Sequence, residues 1–265
     1  MKKKNFYVLL LVIFVVGLII IISTYVRYKK NYQVDSKVVD EVFEYFSTDD
    51  LEVCGGLFNY SDKLINYDEV DSKTKLCIAY YKVSKEEEKK DTLDKDKKKD
   101  VCKKDDMTFR LDDNEKKCSI TKIGKETLNN EYKKLFGKDM EKDIKSFQAD
   151  NLHICYIKDK NIICGLSETY TYVLGADINI YRVIEKTVEK SSGIEIYDYF
   201  IKVYNNECYS SYTTENVDSS CTKNINEKTK IKYKFLKKYG TLYKHIYEKN
   251  DDGSYHWVSS EPVKK

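Results

Sequence analysis

The feature that most constrains this chain is an uninterrupted apolar run near its N-terminus. Residues 6–26 contain no charged side chain, and a helix of this length spans roughly 30 Å, the thickness of the hydrocarbon core of a bilayer. Tyr7 and Tyr25 lie near its ends, where aromatic rings favour the membrane interface. We therefore expect residues 1–30 to form a short cytoplasmic tail and a transmembrane anchor.

A cleaved signal peptide is the competing interpretation of this run. Signal peptides have an apolar core of roughly 7–15 residues and a small-residue cleavage site, whereas this run is longer and leaves through Ser23, Thr24 and Tyr25. These features favour a retained signal-anchor. Both flanks of the run are basic, so charge alone does not fix its orientation.

Eight cysteines, all beyond the predicted anchor, indicate a disulfide framework and hence an oxidising compartment. A hairpin turning at residues 159–160 would place Cys155 directly opposite Cys164, close enough for a bridge. We propose three further pairs from chain order: Cys208–Cys221, Cys102–Cys118 and Cys54–Cys77. Free thiols in small apolar sites are the alternative; zinc is disfavoured because no C-x-x-C spacing occurs. The disulfide interpretation predicts that residues 31–265 lie outside the cytoplasm at the cell membrane; a cytoplasmic domain is the alternative.

Residues 34–137 are expected to be mainly helical. Apolar residues at helical spacing predict helices over 34–46, Ser72–Val83 and 122–136, the last with Thr121 as its N-cap and Gly137 just past its end. Residues 84–106 carry nine basic and nine acidic side chains. We expect this charged loop to be a solvated helix extension or a disordered segment.

From residue 152 the period changes to two, so residues 152–260 are expected to be mainly β. The predicted strands are Leu152–Ile157, Ile162–Leu166, Thr169–Leu174, Ile178–Glu189, Ile194–Tyr204, Lys230–Lys237, Thr241–Lys249 and Ser254–Ser260. Helices first and strands later predict an α+β fold with an antiparallel sheet.

The charge distribution argues against nucleic acid as a partner. Six of the 47 basic residues and none of the 44 acidic ones lie in residues 1–30, which leaves 41 basic against 44 acidic beyond them. Nucleic-acid binding requires a basic patch, and the sequence shows none. An envelope protein or polysaccharide is the expected partner besides the membrane, and no cofactor is indicated.

The last predicted hairpin carries a candidate ligand face. A turn at 250–253 would oppose Tyr247 with His256 and leave the opposite face, with Trp257, as core. The candidate face could bind a sugar, a peptide or a metal, although two histidines without a nearby carboxylate make a poor metal site. An ordinary half-buried strand face is the alternative. This face consists of Tyr243, His245, Tyr247 and His256.

A catalytic set is not indicated by the sequence. His153 and Cys155 lie on one strand face and could form a nucleophile pair, but Cys155 already has a predicted disulfide partner. No carboxylate pair stands in an apolar setting, where an acid–base dyad would be sought. We therefore expect a non-catalytic binding or interaction domain. The alternatives are a cell-envelope enzyme, such as a wall-directed hydrolase, and a structural subunit that acts through its membrane helix.

Two segments carry a resemblance to a known group of proteins. Residues 240–261, GTLYKHIYEKNDDGSYHWVSSE, and Tyr132–Gly137, YKKLFG, resemble segments of uncharacterised single-pass membrane-anchored proteins from low-GC bacteria. The order of anchor, short helices and strand-rich half is similar too. The resemblance implies no activity. The helix-then-sheet order is also similar to cystatin-like and nuclear-transport-factor-2-like (NTF2-like) architectures.

Overall fold

A computed structural model describes the fold of most of the chain beyond residue 35. The described residues are 36–46, 54, 57–83, 89–94, 103–104, 107–110, 117–149, 152–168, 178–213, 216–225 and 231–263. Within these ranges no helix has the length and apolarity needed to cross a bilayer. The predicted anchor at residues 6–26 lies outside them, as does the predicted strand Thr169–Leu174.

The larger sheet, sheet A, is antiparallel and six-stranded. Its strands are β1 (Ile65–Asn66), β9 (Ile178–Glu189), β10 (Gly193–Tyr204), β11 (Glu207–Tyr209), β12 (Thr241–Lys249) and β13 (Tyr255–Pro262). The order runs β1-β13-β12-β10, and β9 pairs along the other edge of β10. β11 lies along the same edge of β10 as β12 and pairs with the last three residues of β10.

The second sheet, sheet B, is five-stranded and also antiparallel. Its strands are β2 (Lys89–Asp94), β5 (Lys117–Gly124), β6 (Ser146–Gln148), β7 (His153–Lys158) and β8 (Asn161–Leu166), in the order β2-β5-β8-β7-β6. β3 (Lys103–Lys104) and β4 (Met107–Thr108) form a separate short pair.

Three helices join the two sheets in one core. They are α1 (Ser36–Glu44), α2 (Ser72–Lys82) and α3 (Lys125–Phe136), with single 3-10 turns at Phe58–Tyr60 and Tyr67–Glu69. α3 contacts β13 of sheet A and β5 of sheet B. In α2, six consecutive residues from Lys75 to Tyr80 are buried, as expected for a helix enclosed on all sides.

Two short helices lie on sheet A away from this core. They are α4 (Ser219–Thr222) and α5 (Tyr233–Tyr239). Leu236 of α5 is buried against Tyr199, Ile201 and Val203 of β10. These β10 residues alternate with Ile196 and Phe200, which face the main core. Sheet A is therefore covered on both faces.

The predicted α+β class is confirmed, with three errors of element type. Lys230–Lys237 was predicted as a strand, but α5 is a helix because Phe235, Leu236 and Tyr239 recur at helical spacing. The charged segment 84–106 was predicted to be helix or disorder, yet its described parts are the strands β2 and β3. Residues 117–124 form β5, so Gly124 rather than Thr121 is the N-cap of α3.

Three of the four predicted disulfides are present among the described residues. Cys155 and Cys164 are directly paired across β7 and β8 and bridged, with a Cα–Cα distance of 4.1 Å. The bridges Cys54–Cys77 and Cys208–Cys221 are also present. Cys118 is disulfide-bonded as well, and its predicted partner, Cys102, lies outside the described residues.

Candidate functional site

Three neighbouring strands of sheet A bring three polar side chains together on the buried face. His245 on β12 pairs directly with Ser260 on β13, and Asp198 on β10 lies one diagonal position away. His245 Nδ1 is 2.6 Å from Ser260 Oγ, and His245 Nε2 is 2.8 Å from Asp198 Oδ1. Each of the three is at most 1% exposed. We call this set, with Tyr60, Trp257 and Arg182, the buried polar network.

The hydrogen bonds of the buried polar network form one consistent chain of donors and acceptors. Trp257 Nε1 donates to Ser260 Oγ over 2.8 Å, and the hydroxyl of Tyr60 donates to Asp198 Oδ2 over 2.6 Å. An ionised carboxylate only accepts, so His245 Nε2 carries the proton that faces Asp198. The Ser260 hydroxyl and His245 Nδ1 share the remaining hydrogen bond of the ring. Every member is satisfied without solvent, as burial of polar groups requires.

Arg182 on β9 offsets the negative charge of Asp198. Its guanidinium also donates to the carbonyl oxygens of Phe43 and Phe46, over 3.2 and 3.1 Å. Burial lowers the pKa of Arg182, but Tyr60 and Asp198 more than offset this and raise it above its usual value. Burial, and then Asp198, raise the pKa of Tyr60 well above its usual value. The network therefore ties α1 and the 58–60 turn to sheet A.

Serine, histidine and aspartate are the residue types of a hydrolytic triad, but the network is not arranged as one. In a triad the serine bonds Nε2 and the carboxylate bonds Nδ1; here the two ring nitrogens are exchanged. Ser260 also accepts from Trp257, and its 1% exposure leaves a substrate no access. The geometry supports a structural role for Ser260, His245 and Asp198.

The predicted ligand face on the last hairpin is wrong. Tyr243, His245 and Tyr247 are at most 2% exposed and belong to the main core, together with Trp257. The prediction had assigned Trp257 to the opposite face. The three β12 residues alternate with half-buried Leu242 and Ile246, which the prediction had taken as core.

The length of the β12–β13 turn explains the error, because Lys249 pairs with Tyr255 and the turn therefore holds five residues, 250–254, one more than predicted; a β-bulge follows it. Tyr247 pairs with Trp257 rather than His256, and Ile246 pairs with Ser259, so Val258 is an extra residue in β13. A bulge shifts the register by one position and turns neighbouring side chains to the same face. The bulge brings Trp257 and Ser260 onto the buried side together, whereas the longer turn leaves His256 opposite Glu248, apart from the other predicted face residues.

His256 lies in an open cleft between the C-terminal end of α3 and the β12–β13 turn. The cleft has a volume of about 610 Å³ and is lined by polar and charged residues with one glycine. We call it the turn cleft. It is formed by Asn130, Lys133, Lys134, Gly137, Lys249, Asn250, Asp251, Asp252 and His256.

Asn250 organises the turn cleft. Its Nδ2 donates to Ser254 Oγ over 2.9 Å, which leaves Oδ1 to accept from His256 Nδ1 over 2.7 Å. His256 Nε2 is therefore the acceptor of the ring when the imidazole is neutral. Burial lowers the pKa of His256, and Glu248, 4.0 Å from Nε2, offsets only part of this, so the neutral form prevails at neutral pH. Gly137, with φ +70°, approaches the ring so closely that a Cβ there would lie 2.5 Å from it.

The charges of the turn cleft are mixed, with lysines in excess. Lys133 and Lys249 are exposed and have no ion pair among the described residues, whereas Lys134 is 3.3 Å from Glu41. Hydrogen bonds from Ser254 hold the pKa of Asp252 below its usual value. The cleft thus offers fixed cations, a fixed anion and a neutral imidazole within one polar surface.

Sequence reasoning missed most of both sites. One signal was present: Ile194, Ile196 and Phe200 set the buried face of β10, and Asp198 is the acid that falls on it. No comparable signal marks the turn cleft, because its lysines and aspartates resemble any charged surface. The alternative of a His153–Cys155 nucleophile is excluded, since Cys155 is bonded to Cys164.

Comparison with known proteins adds no assignment. No family model, curated protein or solved structure matches the chain.

Proposed function

We propose that the protein is a membrane-anchored, extracytoplasmic binding domain that takes an anionic envelope polysaccharide in the turn cleft. The observation that carries this proposal is the cleft itself, which combines exposed Lys133 and Lys249 with the fixed Asn250–His256 pair. Binding rather than catalysis is proposed because neither site holds an accessible nucleophile or acid–base pair among the described residues.

The disulfides support placement outside the cytoplasm. Bridges persist in oxidising compartments and are rare where thiols are kept reduced, and three are present among the described residues. Residues 6–26 would then hold the domain at the outer surface of the cell membrane. A cystatin-like or NTF2-like architecture, expected from the order of elements, stays a prediction.

The lining of the turn cleft favours a hydroxyl-rich ligand over a peptide. Peptide and protein partners bind mainly through apolar anchors in desolvated pockets, and the cleft has no aliphatic or aromatic residue in its lining. Sugars present many hydroxyls, each both donor and acceptor. His256 Nε2 and the Asp251 carboxylate accept, Asn130 both donates and accepts, and the ammonium groups of Lys133 and Lys249 pair with acidic substituents.

A cell-envelope hydrolase is the second candidate, and one observation bears on it. Ser260, His245 and Asp198 are the residue types of a hydrolytic triad, but they are buried, and the serine hydroxyl is engaged by Trp257 and His245. An opening that exposed Ser260 would have to break the core around Trp257. The binding function therefore has the stronger support.

Titration calorimetry of the full chain in detergent micelles tests the proposal. The probes are oligogalacturonate, which carries carboxylates, and a neutral galactose oligomer of equal length. We expect binding of the acidic oligomer and at least about tenfold weaker binding by Lys133→Ala/Lys249→Ala, as for the loss of two charge-assisted contacts. Lys158→Ala/Lys160→Ala, at the exposed β7–β8 turn, is the matched control.

His256→Asn tests the role of the Nε2 acceptor while the hydrogen bond to Asn250 in the turn is kept. Asparagine can still donate to Asn250 in place of Nδ1, but it lacks a group at the position of Nε2. We expect this variant to fold and to bind the acidic oligomer more weakly. Equal affinity of all variants for the acidic oligomer, or no binding by the wild type, would reject the turn cleft as an anionic glycan site.

A further inference from the structure

α5 and the residues around it form a basic and aromatic surface, which corrects the expectation that the chain has no basic patch. Residues 231–244 contain five lysines and no acidic residue. The lysines of α5 and its N-cap are all exposed; they are Lys232, Lys234, Lys237 and Lys238. Tyr233 is 42% exposed beside them, while the buried side chain of Leu236 fixes the helix to sheet A.

Most of the positive charge on this surface is not neutralised by the protein. Glu185 accepts from Lys237 over 2.8 Å and from the hydroxyl of Tyr233. Lys232, Lys234 and Lys238 have no ion pair among the described residues. Three cations therefore stand within two turns of one short helix. A charge pattern of this kind attracts a negatively charged surface.

The edge strand β9 contacts both α5 and α1, the first described helix of the domain. Arg182 of β9 faces the core and binds the carbonyls at the end of α1. Tyr181 and Val183, the neighbours of Arg182, pack on the other side of the sheet with the α5 cluster. Asp198 pairs with Ile184 and Tyr197 with Lys186, so Glu185 is the extra residue of a bulge, bonded to α5. α1 and α5 thus lie on opposite faces of the same strand.

Chain length then limits how far α5 can be from the membrane. Nine residues, 27–35, connect the predicted anchor to Ser36, the first residue of α1, and they can span at most about 30 Å. Ser36 is therefore held within about 30 Å of the bilayer, and β9, which contacts both α1 and α5, lies within reach of the same surface. Lysines and tyrosine side chains are the residue types that bind at such a surface.

We infer that the α5 surface, formed by Lys232, Tyr233, Lys234 and Lys238, docks on the anionic phospholipid headgroups of the membrane that holds the chain. This inference rests on the anchor in the proposed function and is independent of the turn cleft. Docking orients the domain, with α5 and the adjoining face of sheet A toward the lipid. Each lysine near an anionic surface contributes roughly fivefold to the affinity.

Lysine footprinting of the full chain in lipid nanodiscs tests the inference. One set of discs contains phosphatidylcholine alone and the other an equal mixture with phosphatidylglycerol. At low salt we expect acetylation of Lys234 and Lys238 to be at least about fivefold slower in the anionic discs, with the difference lost in concentrated salt because of screening. Lys158 and Lys160 are the internal reference and should react equally in both sets.

A charge-reversed variant gives the second measurement. In Lys234→Glu/Lys238→Glu we expect Lys232 to react at one rate in both discs, while the matched control Lys142→Glu/Lys145→Glu keeps the wild-type protection. Equal acetylation of wild-type Lys234 and Lys238 in the two discs would overturn the docking. Failure of the chain to co-purify with any disc would instead contradict the anchor, so the two failures are distinguishable.

Discussion

The two histidines of the last hairpin show how differently one sheet uses the same side chain. His245 is 1% exposed, and both its ring nitrogens are bonded within the buried polar network. His256 is bonded through one nitrogen to Asn250 and lines the open turn cleft. The two histidines lie on different faces of the hairpin, because His245 pairs with Ser260 on the core face and His256 pairs with exposed Glu248 beside the turn.

The difference lies in what each environment demands of its polar atoms. In the core, an unpaired polar atom costs free energy, so the network has to be complete to be tolerated. In the cleft, water can form hydrogen bonds with the unused polar groups, so Lys133, Lys249 and His256 remain available to a ligand. A complete network stabilises the fold, whereas an incomplete one at the surface is available for binding.

Removing the carboxylate from each environment gives the largest expected contrast. Asp198→Ala leaves the hydroxyl of Tyr60 and Nε2 of His245 without their acceptor, and each buried donor left unsatisfied costs about 1–3 kcal/mol. Asp251→Ala removes an exposed carboxylate of the cleft and should unfold near the wild-type denaturant concentration. Urea unfolding followed by the fluorescence of Trp257, the single tryptophan, measures both.

The comparison would be wrong if the two variants unfolded at similar urea concentrations. Should Asp198→Ala fail to fold, Asp198→Asn provides the measurement, because asparagine keeps the shape and removes only the charge. We expect it to lie between the wild type and the alanine variant. An Asp198→Asn protein as stable as the wild type would show that the buried charge is dispensable.

The regular part of this architecture was predictable because it depends on local pattern. β9 and β12 begin and end where the alternation of side chains begins and ends, and the opposed positions of Cys155 and Cys164 follow from a two-residue turn. The disulfides could be proposed for the same reason. Spacing along the chain was sufficient wherever the register was regular.

The sites were not predictable, because they depend on irregularities and on distant partners. One extra residue in the β12–β13 turn reversed the predicted faces of the last hairpin, and a second, Val258, shifted the register beyond Tyr247. The partner of Asp198 is Tyr60, 138 residues away in sequence, and no local pattern connects them. α5 was missed because its lysines also alternate with apolar residues, so strand and helix periods both fitted a short segment.

Two glycine-to-alanine variants, compared with each other, test whether the turn cleft depends on close packing at Gly137. Alanine there has to adopt φ +70° and would also place its Cβ 2.5 Å from the His256 ring. Gly253 has φ +89° as well, but the nearest atom to a Cβ is Lys249 Cε at 4.0 Å. Left-handed backbone costs an alanine roughly 1–2 kcal/mol, so Gly137→Ala should lose more stability in urea than Gly253→Ala. Equal losses would mean that the ring can move away freely.

The smallest expected effect is the pH dependence contributed by His256. Burial lowers the pKa of the folded-state imidazole, whereas in the unfolded chain it is about 6.5. Between these two values the unfolded chain binds more protons, so stability rises with pH. The contribution is complete above about pH 6.5 and is lost as the pH falls through the lower, folded-state pKa. His256→Asn does not titrate and still donates to Asn250, so its unfolding free energy should fall less than that of the wild type between pH 7.5 and 5.5. Identical decreases would show that the imidazole of His256 is as well solvated in the cleft as in the unfolded chain, and that the distinction drawn between the two histidines is one of packing alone.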